Sequence, residues 1–259
     1  MTRQGTMAKT EEHHPNGTSQ PATRQWVPEV PVALEFNGVA YAVMMATPDQ
    51  LEDFALGFAI AEGLANCAAD MTTCAVAETD KGWIIRASLA GLGLEKLQER
   101  VRTRVAESSC GLCGIENLEA LARPLPPVPP HAALDPAAIF RALAALETHQ
   151  PLTLATGAAH AAAFCAPDGQ ILFAREDVGR HNALDKLVGA LARAGQDAAE
   201  GFLLSSARCS YEIVEKAVRA GATSLVTISL PTSMAVERAE AAGLSLWCLA
   251  REDSVLKVA

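Results

Sequence analysis

The chain has no uninterrupted apolar stretch of the ~20 residues needed to cross a bilayer, so no membrane span is expected. Its opening residues, MTRQGTMAKTEEHHPNGTSQPATRQ, contain no apolar signal-peptide core, and a cytoplasmic location is the expectation. Basic residues are in deficit: 21 Lys and Arg against 30 Asp and Glu give a net charge of −9. That balance excludes nucleic-acid binding through bulk charge and leaves an anionic ligand only a local basic pocket. An even set of cysteines is also missing. The seven at 67, 74, 110, 113, 165, 209 and 248 do not close a disulfide framework, and in a reducing compartment most should stay as thiols. There is no Walker A loop, the stretch GLGLE is a poor dinucleotide-binding match, and the His-x-Glu with Pro-Cys-x-x-Cys pattern of zinc deaminases is absent.

What is present suffices for a sizeable core. Of 259 residues, 50% are hydrophobic and 20% charged, as in ordinary globular proteins. Residues 1–24 are polar and aperiodic and read as a disordered tail. From Trp26, VPVALEFNGVAYAVMMA reads as two strands about the hairpin dipeptide Asn37-Gly38. TPDQLEDFALGFAIAEGL reads as a helix with Thr47 as N-cap, Pro48 in the first position and Gly63 at its end. TTCAVAET and GWIIRASL read as strands, and a helix around Leu94, Leu97, Val101 and Val105 leads into a cysteine loop. RPLPPVPPH then admits neither helix nor central strand and reads as a connector. Beyond it, Asp135-Pro136 opens a helix. LTLAT, HAAAFCA and QILFARE read as strands, and three further strands alternate with helices. These lengths imply right-handed crossovers and a largely parallel sheet covered by helices on both faces.

Four stretches carry candidate chemistry. In SSCGLCG, Cys110 and Cys113 sit in a glycine-rich loop, where a thiolate has the freedom to reach a partner and a second thiol can release a bound sulfur. The lesser readings of the same spacing are part of a zinc site or a redox pair, although no second CxxC completes four ligands. REDVGRHNALDK, Arg175 to Lys186, crowds charge between the end of a strand and the start of a helix. Arg180 and His181 fall in the first helical turn, where cations are unfavourable unless an anion answers them; an ion pair of Asp177 with Arg180 is the alternative. SSARCSYE places Ser206 and Arg208 at an equivalent strand-to-helix turn, with Arg208 able to grip a phosphate bidentately and Ser210 capping the helix. SLPTS supplies a third such turn with Ser229, Thr232 and Ser233. His160 follows a Thr-Gly turn towards the same crevice, and Arg251 and Asp253 follow the last strand. Cys165, Cys209 and Cys248 lie in or beside apolar runs and read as buried small hydrophobes.

Together TPDQLEDFALGFAIAEGL, CGLCG, TGAAHAA, EDVGRHNALDK, SSARCSYEIVEKAVRAGA and PTSMAVERAEAAGLSL resemble the FdhD family of sulfur-carrier proteins, in family order over most of residues 26–251. The resemblance implies an α/β fold: a cytidine-deaminase-like three-layer C-terminal domain with a mixed sheet (135–259), a connector (123–134) and a smaller N-terminal α+β domain (25–122) ending in the CxxC loop. It implies a sulfurtransferase that takes persulfide sulfur from a cysteine desulfurase and delivers it to the molybdenum or tungsten bis(molybdopterin guanine dinucleotide) cofactor for formate dehydrogenase. Cys110 matches the persulfide position and Cys113 the second loop cysteine. Arg180, His181, Asn182, Arg208 and the segment Leu249, Ala250, Arg251, Glu252, Asp253, Ser254 match the cofactor-binding motifs, with His160, Ser206, Ser229 and Thr232 beside them. A homodimer with no intrinsic metal is implied. The chain departs from the family at Ala207, where a glycine is frequent, and at Cys248, Leu249 and Glu252, where Gly, Phe and Gly are the tendency. The competing functional reading is a non-catalytic cofactor-binding chaperone whose CxxC is a zinc or redox clip; a deaminase relative acting on a nucleotide is a third.

Overall fold

The computed structural model describes residues 6–93, 95, 97 and 124–259, so Cys110 and Cys113 lie outside the described residues. Two larger sheets organise the chain. The first has strands β3 (Val30–Phe36), β4 (Val39–Ala46), β5 (Met71–Thr79) and β6 (Gly82–Leu89) in the order β4-β3-β6-β5. The Asn37-Gly38 hairpin forms as expected, with φ of 50° and 77° giving the positive pair that matches strand twist. β3 and β6 are parallel, which requires the crossover through helix α1 (Leu51–Ala61). Phe36, Tyr41, Phe54 and Phe58 interlock between α1 and this sheet, with ring centroids about 6 Å apart.

The second sheet contains β7 (His160–Cys165), β8 (Ile171–Asp177), β9 (Phe202–Ser205), β10 (Ser224–Thr227), β11 (Ser245–Cys248) and β12 (Leu256–Lys257). Its order is β12-β11-β10-β9-β7-β8. The three strands expected to be parallel, β9, β10 and β11, are so; β7 runs against β9, making the sheet mixed. Helix α2 (Pro136–Leu146) covers one face through Ala138, Ile139, Ala142 and Leu146. Its start is set by Asp135, whose carboxylate accepts from Ala137 N at 2.9 Å, with Pro136 in the first position. The other face carries α4 (Arg180–Ala194), α5 (Tyr211–Arg219) and α6 (Ser233–Ala242). α1 then packs on α4 and joins the two sheets through one continuous apolar core. The stretch 124–135 is without helix or strand, as its prolines dictate, and Val128 N donates to Ala242 O at 2.7 Å. Among the described residues no helix is long and apolar enough to cross a membrane.

Three local expectations fail for physical reasons. The supposed disordered tail forms a hairpin of β1 (Met7–His13) and β2 (Ser19–Gln25). Asn16 Oδ1 closes its turn by accepting from Thr18 N and Thr18 Oγ at 3.1 and 2.7 Å, with Gly17 at φ 82°. LTLAT is not a strand but part of α3 (Pro151–Thr156). The Glu176 carboxylate, on β8, accepts from Leu152 N, Thr153 N and Thr153 Oγ at 2.7, 2.8 and 2.6 Å, capping α3 from a distant part of the chain. α1 begins at Leu51 rather than Pro48, after Gln50 with φ 50°, and Thr47 is not its cap. Thr47 is spent on the seam between the sheets instead.

Candidate functional site

The seam explains most of the charged stretch 175–186. Asp177 and Lys186 form an ion pair of 2.6 Å, both side chains wholly buried. Thr47 N donates to Asp177 Oδ2 at 3.0 Å, Thr47 Oγ accepts from Val178 N at 3.1 Å, and Thr47 O accepts from Lys186 Nζ at 2.9 Å. Asn182 Nδ2 donates to Met45 O and Asp177 Oδ1 at 2.8 and 3.0 Å. Asn182 therefore binds β4 to α4 and is only 3% exposed, which corrects its expected place among the ligand-facing residues. The alternative reading, an Asp177–Arg180 pair, gives way to Asp177–Lys186. Arg175 binds Asp53 through Nε and Nη2 at 3.0 and 2.8 Å, and Lys216 binds both oxygens of Asp185 at 2.8 and 2.9 Å. Burial pushes the Asp185 carboxyl up to about 6 against the opposing pull of Lys216.

What remains facing outward is Arg180 and His181. Both stand in the first turn of the 15-residue helix α4, whose N-cap is Gly179. Arg180 Nε is buried with no hydrogen-bond partner among the described residues. A buried guanidinium nitrogen without an acceptor is costly, and a carboxylate or phosphate oxygen is the kind of acceptor that would satisfy it. His181 Nε2 lies 3.1 Å from Glu212 Oε2 and 3.5 Å from Ser210 Oγ. The His181 contact holds the Glu212 carboxyl below its ordinary 4.5, with Arg180 and Lys216 adding to the effect. Ser210 is the N-cap of α5 but makes no side-chain cap; its hydroxyl turns towards His181 and Glu212. Glu212 was absent from the expected site residues. Its signal was its place in the first turn of a helix starting at the same sheet edge.

The sheet gathers the other expected residues along that edge. His160 opens β7, opposite Asp177 in the β7–β8 register. Ser206 Oγ accepts from Ala161 N at 2.9 Å, so its hydroxyl fixes the turn that carries Arg208. Arg208 is exposed, and Arg180, His181 and Arg208 all bear on His160. Burial first, then these neighbours, hold the His160 imidazole below its ordinary 6.5. Ser229 O accepts from Thr227 Oγ and Leu249 N, and Thr232 caps α6 by accepting from Ala235 N. Leu249 takes φ 50°, a left-handed conformation unusual for a bulky side chain, where the chain leaves β11. Ala250 is buried, N-bonded to Thr227 O. Arg251 clamps the Ile228 carbonyl and Ala250 O (3.0 Å), and its own N–H closes a turn on Ser254 O. Ser254 Oγ donates to Asp253, while Glu252 and Asp253 are exposed. Ser206, Ser229, Thr232, Ala250 and Arg251 thus build the loops, and Arg180, His181, Arg208 and His160 form the basic surface. With strands ~4.8 Å apart, the three steps from β7 to β11 span roughly 15 Å.

Cys165, Cys209 and Cys248 are buried, as expected. Burial alone pushes the Cys165 thiol up to about 12, which makes it inert. The neighbouring Cys248 thiol, then burial, push the Cys209 thiol up, and Thr227 Oγ donates to Cys248 Sγ at 3.2 Å. Two open clefts lie away from the basic edge. One of about 350 Å³ is bordered by Trp83, Glu52, Asp53 and Arg193, and one of about 330 Å³ by Cys67 and Arg219. In the first, the Asp53 and Arg193 charges already neutralise one another.

Comparison with known proteins places these features in company. The model of the FdhD/NarQ family matches residues 27–257. A sulfur carrier protein FdhD from Variovorax paradoxus is 46% identical over 234 residues, 90% of this chain and 84% of that protein. One of the same description from Chromobacterium violaceum is 45% identical over 263 residues, 99% and 96% of the respective chains. A crystal structure described as a formate dehydrogenase accessory protein of Desulfotalea psychrophila superposes with a TM-score of 0.75 at 21% identity, covering 98% of this chain and 96% of that one. At that identity the last likeness speaks to the fold.

Proposed function

Because this chain belongs to the FdhD/NarQ family, we propose that it is a sulfur carrier serving formate dehydrogenase, with Cys110 as the sulfur-bearing thiol and the basic sheet edge as the seat of the acceptor. On this reading a cysteine desulfurase donates persulfide sulfur. The Cys110 thiolate attacks the outer sulfur of the donor persulfide, the donor thiolate leaves, and Cys110 carries the new S–S bond. Cys113, three positions on in the sequence, attacks the inner sulfur in turn and expels the outer one as hydrosulfide, leaving a Cys110–Cys113 disulfide that an external dithiol reduces before the next cycle. The acceptor, a molybdenum or tungsten bis(molybdopterin guanine dinucleotide), is the cargo and not a resident group.

The observation that carries the reading is the buried Arg180 Nε, without a partner among the described residues, beside His181, Arg208 and His160 on a chain of net charge −9. A protein that is acidic overall and concentrates its cations where four strand-end loops meet is built for a local, anionic ligand. The phosphates belong at the Arg180–Arg208 end. The turn at Leu249–Ser254, with Glu252 and Asp253, lies about three strands away and faces the uncharged part of the ligand. The cytidine-deaminase-like character expected of residues 135–259 belongs to the same reading, supported by a mixed sheet held between α2 and the α4–α6 layer. So do the cytoplasmic location and the homodimer.

Incubation with a cysteine desulfurase and cysteine is expected to add sulfur in steps of about 32 Da, reversed by reductant and mapped to Cys110. In Cys110→Ala that mass is lost while nucleotide binding persists. In Arg208→Met the mass gain persists while affinity for a guanosine diphosphate ester falls about tenfold or more, as for loss of a charge-assisted contact. No sulfur on folded, reduced protein would reject the carrier role and leave a cofactor-binding chaperone.

A further inference from the structure

The starts of α4 and α5 meet at the basic edge, and the charges between them form two rungs. His181 and Asp185 stand one turn apart on α4, as Glu212 and Lys216 do on α5. The lower rung is Asp185 with Lys216, at 2.8 and 2.9 Å, with Asp185 wholly buried and the Lys216 side chain 9% exposed. It fixes the register of the two helices. The upper rung is His181 Nε2 with Glu212 Oε2 at 3.1 Å, and here the side chains are 17% and 33% exposed. The upper rung is therefore the one a ligand at the edge can reach.

Two further features single it out. Asp135 and Thr232 cap α2 and α6 with their side chains, yet Ser210, an equally suitable residue at the start of α5, caps nothing. Its hydroxyl lies 3.5 Å from both His181 Nε2 and Glu212 Oε2, so the helix forgoes a cap and supports the pair instead. His181 Nδ1 has no hydrogen-bond partner among the described residues, and it is not shut away from solvent as Arg180 Nε is. Glu212 is kept ionised by His181 first, then by Arg180 and Lys216, and by its place in a first helical turn. An ionised carboxylate only accepts. A bare ring nitrogen 3.1 Å from it would be repelled, so the hydrogen is on Nε2.

We propose that Glu212 is a positioning residue for the edge: it holds His181 by Nε2–H and so commits Nδ1 to the ligand, beside the ligand oxygen that Arg180 takes. This rests on the reading of the edge as an anion seat. Without the carboxylate the ring is free to turn about its last torsion and offer either nitrogen. With it, the ring is set before the ligand arrives, and less freedom is lost on binding.

The test combines Glu212→Gln with His181→Gln. Gln keeps the size of Glu212 but presents an amide that donates at one end and accepts at the other, so the ring orientation is no longer imposed. Titration calorimetry with guanosine diphosphate glucose is expected to give an affinity about fivefold lower in Glu212→Gln. In a His181→Gln background the same change should cost nothing further, because Glu212 acts through the ring. Glu215→Gln, which removes the contact of α5 with Arg238 on α6 instead, should leave affinity unchanged. A second readout needs no ligand. At alkaline pH, where imidazoles are neutral, nitrogen NMR separates the tautomers of the six histidines, and His181 is identified by its loss in His181→Gln. His181 should be held in the Nε2–H form in the unaltered protein and relax to a mixture in Glu212→Gln. Equal losses of affinity in Glu212→Gln and Glu215→Gln, additive losses in the double variant, or an unchanged tautomer overturn the inference and leave the anion seat standing. No binding by the unaltered protein rejects the seat, and the inference with it.

Discussion

Gly57→Ala is expected to be among the most damaging single-methyl additions to this protein. α1 crosses α4 with backbone against backbone: a Cβ built at Gly57 falls 1.7 Å from Asp185 O, and one at Gly189 falls 1.9 Å from Asp53 O. Nothing flexible lies between, so the helices would have to part by about 1.5 Å to restore ordinary contact. That would also open the core where Phe54 and Phe58 pack. The cost of forcing extra volume into a filled interior is commonly ~1–3 kcal/mol, and a collision with main chain lies at or beyond the upper end. For a chain of this size, that lowers the melting temperature by about 10 °C. Gly189→Ala should do the same from the other side. Gly243→Ala, at φ 74° with nothing within 4 Å, bears only the conformational penalty of about 1–2 kcal/mol. Thermal melts of the three variants decide the matter: equal losses would mean that α1 and α4 do not meet as described.

The second large effect is expected from Lys186→Met. The side chain is buried and would be replaced by one of similar length, so packing survives while the charge opposite Asp177 is lost. Removing one member of a buried pair leaves the other uncompensated, at a cost of about 3–5 kcal/mol. The Thr47 carbonyl also loses its donor. Adding Asp177→Asn to Lys186→Met should return part of the stability, because the uncompensated charge disappears. Denaturant titration of the two singles and the double completes the cycle. Additive losses would show that the pair contributes no coupling across the seam.

The division between seam and site marks how far the sequence could be read. Apolar periodicity located α4 and the parallel strands correctly, and Asn37-Gly38 located its hairpin, since these depend on neighbours in sequence. The α3 helix was read as a strand because its cap, Glu176, is about two dozen residues away. The β1–β2 hairpin was missed although Asn16-Gly17 announces it, because its strands carry few apolar residues. Thr47 and Asn182 were misassigned for the same reason in reverse. Each is a residue type that caps a helix or faces a ligand elsewhere, and here each is consumed by a partner more than 130 positions distant. The place of Arg180 and His181 in the first turn of α4 was legible because charge at a helix start can be seen in sequence, and that of Arg208 and His160 because each adjoins an apolar strand run. The CGLCG stretch was legible only as a pattern, since Cys110 and Cys113 lie outside the described residues.

The seam of Thr47, Asp177, Asn182 and Lys186 also governs how this protein can be recombined. The three bonds that tie Thr47 into it use the backbone N–H, the carbonyl and the hydroxyl of that single residue from the first half of the chain, and both charged groups come from the second. A chimera joined at the proline-rich connector would therefore bring the two sets from different parents. It would inherit the basic sheet edge from one and the CGLCG stretch from the other, yet remain folded only if the loop at Thr47 and the glycine crossing at Gly57 and Gly189 matched. The halves are separable on paper at residue 123, but as heritable modules they travel together.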